Sequence, residues 1–129
     1  MSRRAIETSG APRPVGPYSQ AVAVGDLVFT AGQLGLDPAT GQLVAGGAAA
    51  EAGRIMENLV AVLKAAGLGF EDVVKTTIFL TDLADFKAVN EVYARYAGAP
   101  PPARSTVQVS GLALGARVEI EAIAVRRAG

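Results

Sequence analysis

The sequence predicts an α+β layer sandwich in the order β-β-α-β-α-β-β, one mixed sheet with two helices on one face. Three observations lead there. Short apolar, β-rich runs flank a Gly-Asp turn near the start; two central segments repeat apolar residues at three- and four-residue steps; and a β-rich run, alternating over Val118 to Glu121 and apolar on to Val125, lies near the end. The 129 residues are enough for one core and short for two, and no low-complexity linker divides them, so residues 1–129 are expected to form a single domain.

The elements follow in order. Ala21 to Val24 and Leu27 to Gly32 are split by Gly25-Asp26 and read as a hairpin. Asp37-Pro38-Ala39-Thr40-Gly41 is a turn, with Pro fixing φ and Gly free to take positive φ. From Ala48 to Ala66 the residues Ala52, Ile55, Met56, Leu59, Val60, Leu63 and Ala66 make one apolar stripe, while Glu51, Arg54, Glu57, Asn58 and Lys64 fall mainly elsewhere. Gly67 is placed to end that helix as its C′ residue. Val73 to Leu80 is a β-branched strand. Asp82 or Asp85 can cap a second helix running to about Tyr96, with Phe86, Val89, Tyr93 and Tyr96 as its apolar face. Gly98 and Pro100-Pro101-Pro102 stop it, and strands at Arg104 to Val109 and Arg117 to Val125 complete the chain.

Composition narrows the chemistry. Lys+Arg and Asp+Glu balance at 12 each, so the basic stripe from which nucleic-acid binding draws most of its affinity is missing, and such a partner is not expected. With no Cys and no His, disulfides, thiolate nucleophiles, Cys-ligated zinc and the usual triad base are excluded. Catalysis would have to use Arg, Lys, carboxylates, hydroxyls or backbone groups, with a carboxylate as the natural base. No metal is expected. The N-terminal Ser2-Arg3-Arg4 has no apolar run behind it and no stretch is long enough to span a bilayer, so a soluble, cytoplasmic protein is expected.

The last strand points beyond one copy. Val118, Ile120, Ala122 and Ala124 share one face, suited to packing under the helices. Ile123 and Val125 lie on the other with Glu119 and Glu121, and Phe79 of the middle strand can join them. Two helices cannot cover both faces, so self-association is expected.

Several residues are candidates for chemistry. Arg104 follows a stiff proline segment and offers a planar fork that matches a carboxylate; from position alone, a solvated arginine paired with a nearby acid is the commoner outcome. Glu119 and Glu121 leave the same strand face, as a pair that can split acid and base roles or simply as a polar edge. Tyr18, after Gly16-Pro17, can pack over a small ligand, although a core-lining tyrosine is commoner. Gly32 permits close approach to the backbone, or is an ordinary bend. Asn90 is a poor helix-interior residue, which suggests a hydrogen-bonding duty.

These residues fall in a pattern that resembles the RidA (YjgF) family, also called the L-PSP endoribonuclease family. The pattern comprises Gly16-Pro17-Tyr18-Ser19-Gln20-Ala21, Phe29-Thr30-Ala31-Gly32-Gln33, Asn58-Leu59, Val74 to Leu83, Asp85-Phe86, Val89-Asn90, Pro102-Ala103-Arg104-Ser105 and Val118 to Ala124, nearly the whole chain in order. The resemblance implies a chorismate-mutase-like fold, a homotrimer with clefts between subunits, and cofactor-free hydrolysis of 2-imino acids such as 2-iminobutyrate and 2-iminopropionate to 2-oxo acids and ammonia. By position it implies that Arg104 holds the substrate carboxylate and Glu119 orients or activates water, with Glu121 as structural neighbour. The Thr106 and Gly32 backbones would contact the imine end, Tyr18 would line the cleft and Asn90 support it. Many imine-deaminating members carry Ser at Ala31 and Cys at Thr106, so Ala31 is a point where preference or rate can differ. The alternatives from the same resemblance are an endoribonuclease or translation inhibitor, a non-enzymatic module binding small carboxylates, and a chaperone-like protein.

Overall fold

The hairpin around Gly25-Asp26 nucleates the sheet. Strands β2 (Ala21–Val24) and β3 (Leu27–Thr30) pair antiparallel with Val24 opposite Leu27, and Gly25 takes φ 56° at the first of the two loop positions. The computed structural model describes residues 2–127. Ahead of the hairpin, β1 (Arg4–Ile6) pairs with β2, and past β3 lies the two-residue β4 (Gln33–Leu34). Helix α1 (Ala48–Ala65), strand β5 (Val73–Leu80), helix α2 (Phe86–Ala97), strand β6 (Ala103–Gln108) and strand β7 (Val118–Val125) follow. The spatial order is β1-β2-β3-β7-β5-β6, with β4 continuing beside β7. Only β5 and β6 pair in parallel, so the sheet is mixed.

Each expected element is present, with ends shifted by a residue or two. The order differs from the sequence reading in two added strands, β1 and β4. Neither is long enough to carry a period: β1 buries Ile6 alone, and β4 has two residues. The expected strand from Leu27 to Gly32 breaks after Thr30. Phe29 faces Ile123 and Gln33 faces Ile120, so three residues, 30–32, oppose two, 121 and 122. This bulge turns Ala31 and Gly32 out of the ladder, and the Thr30 hydroxyl fills the gap by accepting from the Ala122 N–H at 2.9 Å.

Both helices pack on one face. Ile55, Met56, Leu59, Val62 and Leu63 of α1 and Val89, Val92 and Tyr93 of α2 meet Val28, Ile78, Leu80, Val118, Ile120, Ala122 and Ala124 of the sheet. At such positions Leu59→Ala would cost about 2–5 kcal/mol. Gly67 closes α1 at φ 79°, with Leu68 N–H donating to the Leu63 carbonyl and Gly67 N–H to the Lys64 carbonyl, a Schellman end. Asp82 caps the short 3₁₀ turn leading into α2 by accepting from the Ala84 N–H, whereas Asp85 makes no side-chain cap.

Three burial expectations are corrected. Glu51 and Asn58 lie in the core, because α1 covers an irregular segment whose backbone groups need partners. Glu51 Oε1 accepts from the Arg117 N–H at 2.8 Å; the Asn58 amide donates to the Leu36 and Leu34 carbonyls at 3.0 and 3.3 Å. Val62 is fully buried where Val60 is only half so. On α2, Val92 packs inward and Phe86 stays exposed, for a reason found at the site.

The second sheet face is open and apolar. Leu27 pairs across to Val125, Phe29 to Ile123, and Phe79 to Val107. Leu27, Phe29 and Val107 are exposed in the single chain, and the other three are half-buried. Among the described residues no helix is long and apolar enough to cross a membrane.

Candidate functional site

Arg104 stands on the edge strand β6, in register with Thr76 of β5 and thus on the helix-covered face. The preceding prolines end α2 and deliver the strand beside it, so the guanidinium meets α2 side-on. Its Nη1 donates to Asn90 Oδ1 at 2.8 Å. Its carbon lies 5.0 Å from the Tyr93 ring centroid and 5.5 Å from that of Phe86. Tyr93 is itself fixed by a 2.7 Å hydrogen bond between its hydroxyl and Thr76 Oγ1. Phe86 is exposed because its ring packs over this cation rather than into the core. Among the described residues no carboxylate lies within salt-bridge distance of Arg104. The charge is held by an amide and two aromatic faces, which leaves donors of the fork free for an anion. Thr106, two residues on, faces the same side, and its buried Oγ1 has no hydrogen-bond partner.

Glu119 sits on the opposite face. Its neighbours Val118 and Ile120 point into the core, so Glu119 and Glu121 project from the open side. Glu119 is opposite Leu34 and Phe79 in register, and its carboxyl lies against the bulge. A Cβ added at Gly32 would fall 2.7 Å from Glu119 Cδ, so only glycine lets the carboxylate rest there. Burial, and secondarily the charge of Glu121, push the Glu119 pKa above its ordinary value. Among the described residues neither Glu119 nor Glu121 forms a salt bridge.

A cavity of about 720 Å³ opens beside Glu119, lined among others by Tyr18, Ala31, Gly32, Leu36, Val15 and Leu114. Tyr18 is 52% exposed, so it is a wall of this cavity and not a core tyrosine. The loop that carries it is pinned by the buried amide of Gln20. Gln20 Oε1 accepts from the Thr8 N–H at 2.8 Å, and Nε2 donates to the Thr8, Pro12 and Ala11 carbonyls at 3.0, 2.9 and 3.3 Å.

The candidate residues thus fall into two groups. Arg104, Asn90 and Thr106 gather on the helix face at the β6 edge; Tyr18, Ala31, Gly32 and Glu119 gather on the open face, with the sheet between. The sequence reading missed Phe86 and Tyr93 as Arg104 partners, since both satisfied the apolar stripe of α2. It missed Val15 and Leu114, which sit in loops without periodicity, and Gln20, whose duty shows only once the loop is folded. Among the described residues no three Asp, Glu, His or Cys side chains converge as a metal cage would need.

Comparison with known proteins places this pattern. The model of the family described as Endoribonuclease L-PSP matches residues 8–126. The chain is 59% identical over 127 residues to Protein DfrA of Myxococcus xanthus, covering 97% of each. It is 50% identical over 126 residues to the human 2-iminobutanoate/2-iminopropanoate deaminase, covering 98% of this chain and 92% of the relative. The crystal structure of E. coli TdcF with bound serine superposes with a TM-score of 0.91 at 44% identity, over 96% of this chain and 99% of that one. The chain belongs to the Endoribonuclease L-PSP family, the RidA/YjgF proteins.

Proposed function

We propose that this protein hydrolyses 2-imino acids such as 2-iminobutyrate and 2-iminopropionate to 2-oxo acids and ammonia, at sites made where two copies of the chain meet. The observation that carries this is the split arrangement itself: a carboxylate-binding fork on one sheet face and a carboxylate base beside a cavity on the other. Both become useful once the β6 edge of one copy meets the open face of the next. Relatives 50–53% identical over nearly the full length and named for this reaction support the same reading. The apolar strip of Leu27, Phe29, Phe79, Val107, Ile123 and Val125 supplies a reason to associate, in a cyclic trimer that repeats one seam three times.

At such a seam Arg104 of one copy grips the substrate carboxylate with paired, charge-assisted hydrogen bonds. Glu119 of the neighbour, ionised, takes a proton from water as its oxygen adds to the imine carbon. The C–O bond forms, and the C=N pair moves to nitrogen. The proton taken by Glu119 passes to that nitrogen, the proton of the new hydroxyl follows it, and ammonia leaves as the carbonyl forms. An imine carbon is already electrophilic, so alignment and modest base assistance suffice. The Gly32 and Thr106 backbones contact the imine end, and Tyr18 lines the cleft.

The test is a coupled assay with imine generated in situ by an amino acid oxidase or a dehydratase, on Arg104→Lys, Glu119→Gln and the two variants refolded together. Each variant alone should be nearly inactive, and a one-to-one mixture should regain about one quarter of wild-type activity, the fraction of trimer seams that receive both native groups. A mixture as inactive as its parents means the two groups do not serve one site across a seam.

A further inference from the structure

We infer that the pocket next to Glu119 selects 2-imino acids with long or branched apolar side chains over those of three or four carbons. This rests on the proposed imine hydrolysis and names the substrates the site takes best. The cavity measures about 720 Å³ in the single chain and is closed over by the neighbour at the proposed seam, so the character of its lining, not its size, argues for the side chain it takes. Beyond Glu119 its walls are mostly apolar, with Val15, Leu36, Pro38, Ala39 and Leu114, interrupted by Arg13 and Thr40.

Two of those side chains are held out by their backbones. Val15 is 90% exposed, on a loop stiffened by Pro12, Pro14 and Pro17 and anchored by Gln20 and by the Val15 N–H donating to the Tyr18 hydroxyl at 3.4 Å. Leu114 is 66% exposed at φ 60° and ψ 20°, a left-handed conformation uncommon for leucine. Apolar side chains fixed at a cavity mouth lower the free energy of whatever apolar group covers them. With the carboxylate on Arg104 and the imine carbon at Glu119, the substrate side chain is the group that extends toward Val15 and Leu114. Ala31 adds no hydroxyl to that path.

The supply reaction follows from the chemistry. Dehydrating serine or threonine yields only three- and four-carbon imines. A longer one requires removal of a hydride and a proton across the Cα–N bond of the amino acid, with the hydride passed to a flavin or nicotinamide cofactor of another enzyme.

The experiment compares kcat/KM for imines made in situ by an amino acid oxidase from leucine, alanine and glutamate, using a semicarbazide trap, with wild type, Val15→Ser and Leu114→Asn. Asparagine tolerates the left-handed backbone, so the second variant removes the apolar contact while keeping the turn. The leucine imine should exceed the alanine imine by about tenfold in wild type, and each variant should lower that ratio several-fold. A ratio near one, a ratio the variants do not move, or a preference for the glutamate imine through Arg13 on the same wall would overturn the inference. So would dissociation of the oligomer by either variant in sedimentation, since the contact would then belong to a neighbouring subunit. If wild type turns over no imine at all, the proposed reaction falls too; turnover of the alanine imine with an unmoved ratio sinks the selectivity alone.

Discussion

Arg104 and Glu119 project from opposite faces of one sheet and are held in opposite ways. The guanidinium is boxed in by Asn90, Tyr93 and Phe86, and Tyr93 is locked in turn by Thr76, so its geometry is set before any ligand arrives. Glu119 has no cation beside it among the described residues; a glycine makes room for it, and partial burial makes its negative charge less comfortable than in water. The guanidinium is rigid in space and constant in charge, while the carboxyl is adjustable in charge. That division suits an anion-binding fork, which gains from preorganisation, and a proton-transfer group, which gains from a pKa near the working pH.

The sharpest way to break the comparison is at the rigid end. Arg104→Lys keeps the charge and loses the planar fork, and should lower kcat/KM by about a hundredfold or more, since one of two charge-assisted bonds and their alignment disappear. Retention of most activity in steady-state assays would mean that charge alone suffices there. At the adjustable end the equivalent change is to the space, not the charge. Gly32→Ala puts a methyl against the Glu119 carboxyl and should cost about tenfold in rate, because a displacement near 1 Å weakens proton transfer and alignment together. An unchanged rate in this variant would show that the carboxylate position is unimportant. Asn90→Ala should act more mildly, lowering kcat/KM about threefold to tenfold by freeing the guanidinium to swing, with Tyr93 and Phe86 still holding its face. The split between KM and kcat tells whether the freed arginine binds less well or merely aligns less well.

The two ends were also unequally legible in sequence. The β-branched runs, the α1 stripe and the alternation of Val118 to Val125 reported the sheet, the helices and the face on which Glu119 stands, because each period is a direct record of burial. Asn90 announced itself as a polar misfit inside a helix, and its bond to Arg104 is the duty it performs. Glu51 and Asn58 did not, since a polar residue on an apolar stripe looks misplaced until the backbone groups it satisfies are in view. The bulge at residues 30–32 escaped for a related reason: an extra residue in one strand is visible only against its partner. Arg104 and Glu119 came from the family pattern. The alternation around Glu119 gave its face, but nothing local in Arg104 shows that it stands at a sheet edge facing the helices.

The smallest predicted effect tests the adjustable end most directly. Two causes raise the Glu119 pKa, burial first and the Glu121 charge second. In its proposed role as base Glu119 must be ionised, so kcat/KM should fall on the acid side at a pH above that of an ordinary glutamate. Glu121→Gln removes the second cause and leaves the first, so the acid limb should move to lower pH by the smaller part of the shift, with the plateau little changed. Stability should respond in the matching sense. A carboxyl whose folded pKa exceeds its unfolded value contributes stability below the unfolded pKa and loses it as pH rises through the folded one. Relieving part of that shift should therefore raise the melting temperature of Glu121→Gln slightly at neutral pH and leave it level with wild type in acid. A limb that stays in place while the melting temperature rises would assign the titration in catalysis to some group other than Glu119; a limb that moves upward would mean that Glu121 stabilises the ionised form, against the electrostatics of two like charges on one strand face.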